Sequence, residues 1–331
     1  MTNLAAAVDG KRVLITGGLG MIGSTIAQRI VPLGAKVTVV DACVDPYGAN
    51  FFNVENIRDR ITINIADIRD KEAMKLLVRD QDIVFNLAAQ VSHNDSIENP
   101  FLDADINYLG HLNVAENLRK YNPRAVVIFS GSRLQFGRIE YNPVDEAHRL
   151  NPRTPYALHK TAAENMYRFY NEMYDIPYIS FRIANPYGPR SQMKHSKYCI
   201  INWFLRLAME NKSITIFGDG EQVRDYIYVE DLAEALVQAA VTPSCHNQVF
   251  NIGSGIGSRF KEMAEILVEV VGKGSVQSVP WPKDYVNVET GDFVTDIGKL
   301  QKAIDWKPGI DLRSGIQRTY EYYRQHQAHY W

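Results

Sequence analysis

Cysteine is scarce in this chain of 331 residues: there are three. Cys43, Cys199 and Cys245 are odd in number and far apart, which excludes a disulfide framework and a cysteine-rich zinc site and fits a reduced, cytoplasmic protein. Charge of one sign is also lacking. Against 38 acidic residues stand 36 basic ones, a net charge of −2, so no strong field favours nucleic acid or an anionic membrane as partner. No apolar run approaches the ~18 residues of a membrane span. The opening MTNLAAAVDGKR has no basic segment ahead of an apolar one, so no signal peptide is expected. The eight histidines show neither HExxH nor HxxxH spacing, and no metal site is expected from them. Internal repeats and low-complexity stretches are missing too.

What is present is an alternation. Short runs rich in Val, Ile and Phe occur at 12–17, 36–42, 61–67, 82–89, 125–131 and 178–186, with helical patterns near 70–79, 101–120 and 156–175 between them. Unbroken apolar runs are the mark of strands buried on both faces, and strand–helix alternation predicts a parallel sheet with helices on both sides. After 186 the pattern loosens. A polar, basic loop at 187–199 leads to a helix near 200–210, strands at 213–218 and 247–253, helices at about 230–241 and 258–271, and a Pro-containing tail. The expectation is an α/β protein: a Rossmann-type doubly wound parallel sheet with a smaller, interleaved C-terminal domain. Residues 1–186 would form the first domain, with segments of 213–253 returning to it, and 187–331 mainly the second.

TGGLGMIG (16–23) lies between the first strand and the first helix. Gly17, Gly20 and Gly23 let the backbone turn tightly and approach a pyrophosphate seated on the helix N-terminus. Asp41 ends the second strand about 20 residues on, where a carboxylate accepts hydrogen bonds from ribose hydroxyls and repels a 2′-phosphate, so NAD is expected rather than NADP. Asp67, ending the third strand, either meets the adenine edge or caps the helix starting near Arg69.

Tyr156 and Lys160 in YALHK are four apart, and on a helix beginning near Thr154 they share one face. A free phenol titrates near ~10. A neighbouring ammonium favours the phenolate, which turns a tyrosine into a usable acid–base group. Ser132, ending the fifth strand, would bond the same substrate oxygen. The glycine turn, Ala88–Ala89, Ser130–Ser132 and Asn185 all fall at carboxyl ends of strands, where ligands bind in doubly wound sheets.

Together GGLGMIG (17–23), NLAAQVS (86–92), INYLGHLNV (106–114), FSGSRLQFG (129–137), YALHK (156–160), RIANPYGPR (182–190) and GDGEQVRDYIYVEDLAEAL (218–236) make the chain resemble an extended short-chain dehydrogenase/reductase of the nucleotide-sugar epimerase/dehydratase type. The resemblance implies Ser132, Tyr156 and Lys160 as the catalytic set. It implies NAD contacts from Gly17, Gly20, Met21, Ile22, Gly23, Asp41, Asp67, Ile68, Leu87, Ala88, Ala89 and Asn107, and from Tyr156 and Lys160 as well. It implies substrate contacts from Ser132, Asn185 and Arg224, the last two on the nucleotide diphosphate, with an ion pair to Asp225 or a nearby acid as the alternative for Arg224. In the 190–197 loop, Arg190 and Lys194 would meet a diphosphate or a sugar carboxylate, or simply stay solvated. His93, His111 and His159 are expected as hydrogen-bonded supports, not metal ligands. A homodimer through helices 101–118 and 156–175 is implied as well.

Family dehydratases carry Asp-Glu directly after the serine/threonine position; here stand Arg133 and Leu134, which disfavours dehydration. Gln135-Phe136 replaces the commoner Val-Tyr, and Glu289-Thr290-Gly291-Asp292 lacks an expected phosphate-binding arginine. The expected activity is therefore NAD-dependent 4-epimerisation of a UDP-hexose through a transient 4-keto sugar. UDP-glucuronate 4-epimerase, 2-epimerase, ketoreductase and a non-catalytic sugar-nucleotide-binding regulator are the alternatives.

Overall fold

A computed structural model describes residues 4–45, 47–281 and 289–331. Twelve strands occur among them: β1 (Arg12–Thr16), β2 (Lys36–Asp41), β3 (Ile61–Ile65), β4 (Ile83–Asn86), β5 (Val126–Ser132), β6 (Tyr178–Ile183), β7 (Asn185–Tyr187), β8 (Ser213–Phe217), β9 (Val223–Tyr228), β10 (Gln248–Ile252), β11 (Gly257–Arg259) and β12 (Ser275–Val279). Seven pair, all in parallel, in the order β10-β6-β5-β4-β1-β2-β3. The order reverses between β1 and β4, and such a reversal opens a crevice at the carboxyl ends of the strands.

Burial explains the strand sequences. Every residue of β4 and β6 is buried, because helices cover both faces. On one face Ile26, Ile30, Leu232 and Leu236, from helices Met21–Ile30 and Val229–Ala240, join the core. On the other, Val114, Leu118, Ala163 and Tyr167, from His111–Tyr121 and Pro155–Tyr174, do the same. β3 departs from the expected two-faced burial: it is the edge strand, its residues range from partly buried to exposed, and Ile65 is 58% exposed.

β10 takes the far edge of the main sheet, as a returning segment should, but β8 does not join it. β8 pairs with β12 in a separate two-stranded sheet, and β11-β9-β7 form a three-stranded one. A third core of Tyr187, Phe204, Tyr226, Met263, Ile316 and Tyr323 lies beneath these small sheets. Its last two residues come from Leu312–His326, a helix in the tail whose many charged and polar residues hid it.

The helix expected over 101–120 is three segments: α-helical Pro100–Ala104, a π-helical stretch Asp105–Gly110, and α-helical His111–Tyr121. Two contacts account for the widened turn. Asn107 Nδ2 donates to Gln90 O at 2.8 Å and Asp103 Oδ1 at 2.7 Å. Gly110 packs so close to Ile68 that a Cβ there would lie 2.7 Å from its side chain.

Candidate active site

A cavity lies at the carboxyl ends of β1, β2, β4, β5 and β6. Its wall includes Gly17, Gly20, Met21, Ile22, Gly23, Asp41, Asp67, Ile68, Leu87, Ala88, Ala89, Ser130, Ser132, Tyr156, Lys160 and Asn185. Most residues singled out from the sequence therefore converge on one space.

The glycine turn is obligatory. Gly17 has φ +65°, and a Cβ on it would sit 3.0 Å from Ala88 Cα; one on Gly23 would sit 2.5 Å from Gly17 O. No side chain caps helix Met21–Ile30 at Gly20, so its first N–H groups and its dipole are available to a phosphate. Asp41 accepts from Leu19 N at 3.1 Å and Cys43 N at 3.0 Å, one bond on each carboxylate oxygen, and burial raises its pKa. Each oxygen keeps acceptor capacity for a ribose hydroxyl. Ala88 is fixed from behind: Thr16 Oγ1 accepts from Leu87 N and Ala88 N at 3.1 and 3.2 Å and donates to Asn86 Oδ1 at 2.7 Å. Asn86 Nδ2 in turn donates to Tyr167 Oη at 2.6 Å and meets His111 Nδ1 at 2.9 Å. This donor set and the close-approach cradle fit a dinucleotide.

Tyr156 and Lys160 share one face of Pro155–Tyr174, a helix capped by Thr154 Oγ1, which accepts from Ala157 N at 3.2 Å. Lys160 is buried, donates to Ser130 O at 2.9 Å and lies 6.0 Å from the Tyr156 ring centroid. The charges differ from the sequence expectation. Burial pushes the Tyr156 phenol up to about 12, partly countered by hydrogen bonding to Ser132. Burial also pushes Lys160 down to about 8, partly countered by Asp103. Desolvation, which disfavours the charged form of each group, is the largest cause of both shifts. The chain's own residues therefore hold the tyrosine as a phenol at neutral pH.

Ser132 is held from both sides. Its Oγ accepts from Leu134 N at 3.2 Å, and its N–H donates to Gln135 Oε1 at 2.7 Å. Gln135 Nε2 donates to Glu164 Oε2 at 3.2 Å, and Glu164 forms a buried ion pair with Arg182 at 2.7 Å. Gln135 and Glu164 are missed by sequence reasoning as parts of the site; the only signal was glutamine where the family commonly has valine. Two more missed residues on the wall are Tyr198 and Tyr226, whose buried hydroxyls have no hydrogen-bond partner among the described residues.

Several expected contacts fall elsewhere. Asn107 is not on the wall; its amide ties down Gln90 and Asp103, supporting the 88–92 turn instead of touching the cavity. Asp67 is on the wall but does not cap the helix: Lys71–Leu77 is capped by Asp70, while Asp67 Oδ1 accepts from Arg69 N at 2.8 Å and the carboxylate pairs with the Arg69 guanidinium at 2.6 Å. Arg224 is off the wall, and its acid partner is Glu289 at 2.5 Å, not Asp225. Arg190 turns toward Thr25, with Nη1 3.4 Å from its Oγ1, and Lys194 is exposed. Both lie off the wall, which takes Ser191 and Gln192 from that loop. His159 pairs with the buried Asp103 at 2.6 Å. Among the described residues no group of His, Cys, Asp or Glu could hold a metal, and no helix is long and apolar enough to cross a membrane.

Known proteins share this organisation. A relative from Methanocaldococcus jannaschii, named as a putative UDP-glucose 4-epimerase, is 35% identical, over 93% of this chain and 96% of its own. The structure of an epimerase from Methanothermobacter thermautotrophicus superposes with a TM-score of 0.91 at 26% identity, over 98% of this chain and 96% of the other. A UDP-glucose 4-epimerase from Thermus thermophilus, solved as a complex with NAD, does so with a TM-score of 0.84 at 30% identity, over 95% and 99%. The model of the NAD dependent epimerase/dehydratase family matches residues 13–253. With the glycine cradle, the Ser132–Tyr156–Lys160 grouping and this match in agreement, the chain belongs to the NAD dependent epimerase/dehydratase family.

Proposed function

We propose that the protein is a nucleotide-sugar 4-epimerase acting on a UDP-hexose through a transient 4-keto sugar. The observation that carries this reading is the placing of Ser132, Tyr156 and Lys160 on the wall of the dinucleotide cavity, with Arg133 and Leu134 where a dehydratase has its acids. The relatives named as UDP-glucose 4-epimerases support UDP as the nucleotide.

Gly17, Gly20, Met21, Ile22, Gly23, Asp41, Ile68, Leu87, Ala88 and Ala89 would hold NAD, with Asp67 near its adenine edge. Bound NAD supplies a hydride acceptor and donor and a positive charge beside the reacting carbon. Tyr156 Oη takes the proton of the C4 hydroxyl and gives one back after the sugar has turned in the cavity. Ser132 Oγ bonds the same sugar oxygen. Lys160, anchored on Ser130 O, adds to the positive charge that brings the phenol down from its buried value. One acid–base group serves both directions, so no carboxylate is required. Asn185 meets the substrate from the wall. Arg190 and Lys194 would reach it from their loop, and Arg224 would reach a diphosphate by exchanging Glu289.

The reading includes a homodimer in the cytoplasm. Phe101 and Met173 are 83% and 59% exposed, and Leu109, Leu158, Phe169 and Tyr174 are exposed on the same two helical segments, an apolar surface suited to a second copy. The three cysteines are free thiols. The test uses purified protein without added cofactor, a panel of UDP-sugars, and proton NMR of the anomeric signals. Appearance of the C4 epimer of one substrate is expected. No epimer from any UDP-sugar, with NAD bound and then with NAD⁺ supplied, overturns the reading. Light scattering tests the dimer.

A further inference from the structure

Asp103 is a buried charge that the reaction described above does not use. It lies on Pro100–Ala104, a short helix packed against Pro155–Tyr174, and is fully buried. Both carboxylate oxygens are held: Oδ1 accepts from Asn107 Nδ2 at 2.7 Å, and Oδ2 meets His159 Nδ1 at 2.6 Å. His159 directly precedes Lys160, and its side chain is 18% exposed, so it links the buried carboxylate to solvent.

Lys160 poses the matching problem. Its ammonium is buried, donates to Ser130 O at 2.9 Å and lies 5.0 and 6.0 Å from the Phe129 and Tyr156 ring centroids, but no carboxylate contacts it among the described residues. A buried ammonium without a counter-charge is costly, and it resolves that cost by losing its proton. Asp103 is the charge that opposes this: it favours the charged form of Lys160 and disfavours that of Tyr156. His111, also buried beside Lys160, is held neutral by burial and by the ammonium. The other titratable groups on the elements around Asp103 are Asp105 and Tyr108 in the π-helical stretch, His93, Asp95 and Glu98 on His93–Glu98, and Tyr47. Asp105 and Glu98 are exposed, Asp95 is paired with Lys197 at 2.9 Å, and His93 is held down by burial and then by Arg133. Tyr47 is raised chiefly by burial, with Asp103 a lesser cause.

We propose that Asp103 is a positioning residue for the acid–base pair, its buried carboxylate serving as the counter-charge of the Lys160 ammonium, with His159 tying that charge to solvent. The proposal rests on Tyr156 and Lys160 acting as the reading above assigns them, whichever sugar is turned over. An anion near both groups raises the pKa of each. Without it Lys160 loses its proton at lower pH, and Tyr156 ionises at lower pH, so both limbs of activity move the same way. Asp103 thus sets where the active pH range lies, while the chemistry stays with Tyr156. A cation at His159 cancels part of the field and acts in the same direction as losing the carboxylate.

The experiment labels lysine with carbon-13 at Cε and titrates the NAD-bound protein by NMR without sugar, the Lys160 signal being the one missing from Lys160→Met. In Asp103→Asn, Lys160 should titrate ~0.5–1 pH unit lower than in the wild type. His159→Lys should move it the same way, and His159→Gln, which leaves the carboxylate charged, should not lower it. On any UDP-sugar that is turned over, both limbs of the kcat/KM profile should slide to lower pH in the first two variants. The NMR titration needs no substrate, so failure of the epimerase reading and failure of this proposal are distinguishable. Retained NAD absorbance shows that the variants are folded; if Asp103→Asn does not hold NAD, the two His159 variants decide. An unmoved Lys160 titration in Asp103→Asn or in His159→Lys overturns the proposal. So does an equal downward shift in His159→Gln, which would make the hydrogen-bonded packing, not the charge, the operative feature.

Discussion

The two walls of the cavity are made differently. The cofactor wall is backbone: a glycine turn, a bare helix N-terminus and the 87–89 segment fixed through Thr16, with Asp41 the principal charged group. The wall proposed for the substrate is side chain. Asn185, Tyr198 and Tyr226 line it, Arg133 and Arg224 back it, and two of its hydroxyls lack partners among the described residues. A backbone wall suits any dinucleotide because the peptide offers the same groups whatever the sequence. A wall of side chains is particular to the chain that owns it, so chemistry is shared across the family while the choice of sugar is local.

Substitutions can break or sharpen that contrast. The largest effect belongs to the group between the walls. Tyr156→Phe should lower kcat by ~10²–10⁴ and leave bound NAD unchanged by absorbance; near-normal turnover would remove the proposed acid–base group. Lys160→Met comes next. Loss of a neighbouring cation disfavours the phenolate, so the acid limb of the kcat/KM profile should move to higher pH. An unmoved limb would mean that the ammonium only packs. In the wild type the profile should also turn down as pH rises through about 8, where Lys160 loses its proton. Asp41→Ala touches the cofactor wall alone: NAD should bind ~10-fold more weakly, with improved relative acceptance of NADP, and the ratio between sugar substrates should hold. Tyr226→Phe should be smallest, a change in substrate KM of ~10-fold or less with NAD affinity kept. A loss of NAD affinity there would erase the distinction between the walls.

The same contrast governs what could be read ahead of the structure. Strands of the main sheet were legible because burial on both faces leaves a run of Val, Ile and Phe; β3, at the edge, carried the run without the burial. The glycine turn, Asp41 and the Ser132–Tyr156–Lys160 set were legible because their geometry follows from local spacing on a strand or helix. Arg224 with Glu289, and Gln135 with Glu164, were not, since each pairing spans a separation that no local pattern encodes. β7, β9, β11 and β12 went unseen in a region of mixed polarity. Asn107 was legible as a position but not as a role, because its amide faces the 88–92 turn.

The topology also constrains how the molecule is made. β10 closes the sheet beside β6, and helix Val229–Ala240 packs on the helix that follows the glycine turn. Both come after some 40 residues of the other half. A chain emerging from the ribosome thus lays down six of the seven strands, then must build across the crevice before the sheet's last edge and the cover of one face arrive. Its folding is dominated by contacts distant in sequence and is correspondingly slow. The unfinished sheet presents an open strand edge and bare apolar surface, a substrate for chaperones and for aggregation. A fragment ending at 186 should misassemble, whereas one extending past 252 recovers that edge and that cover.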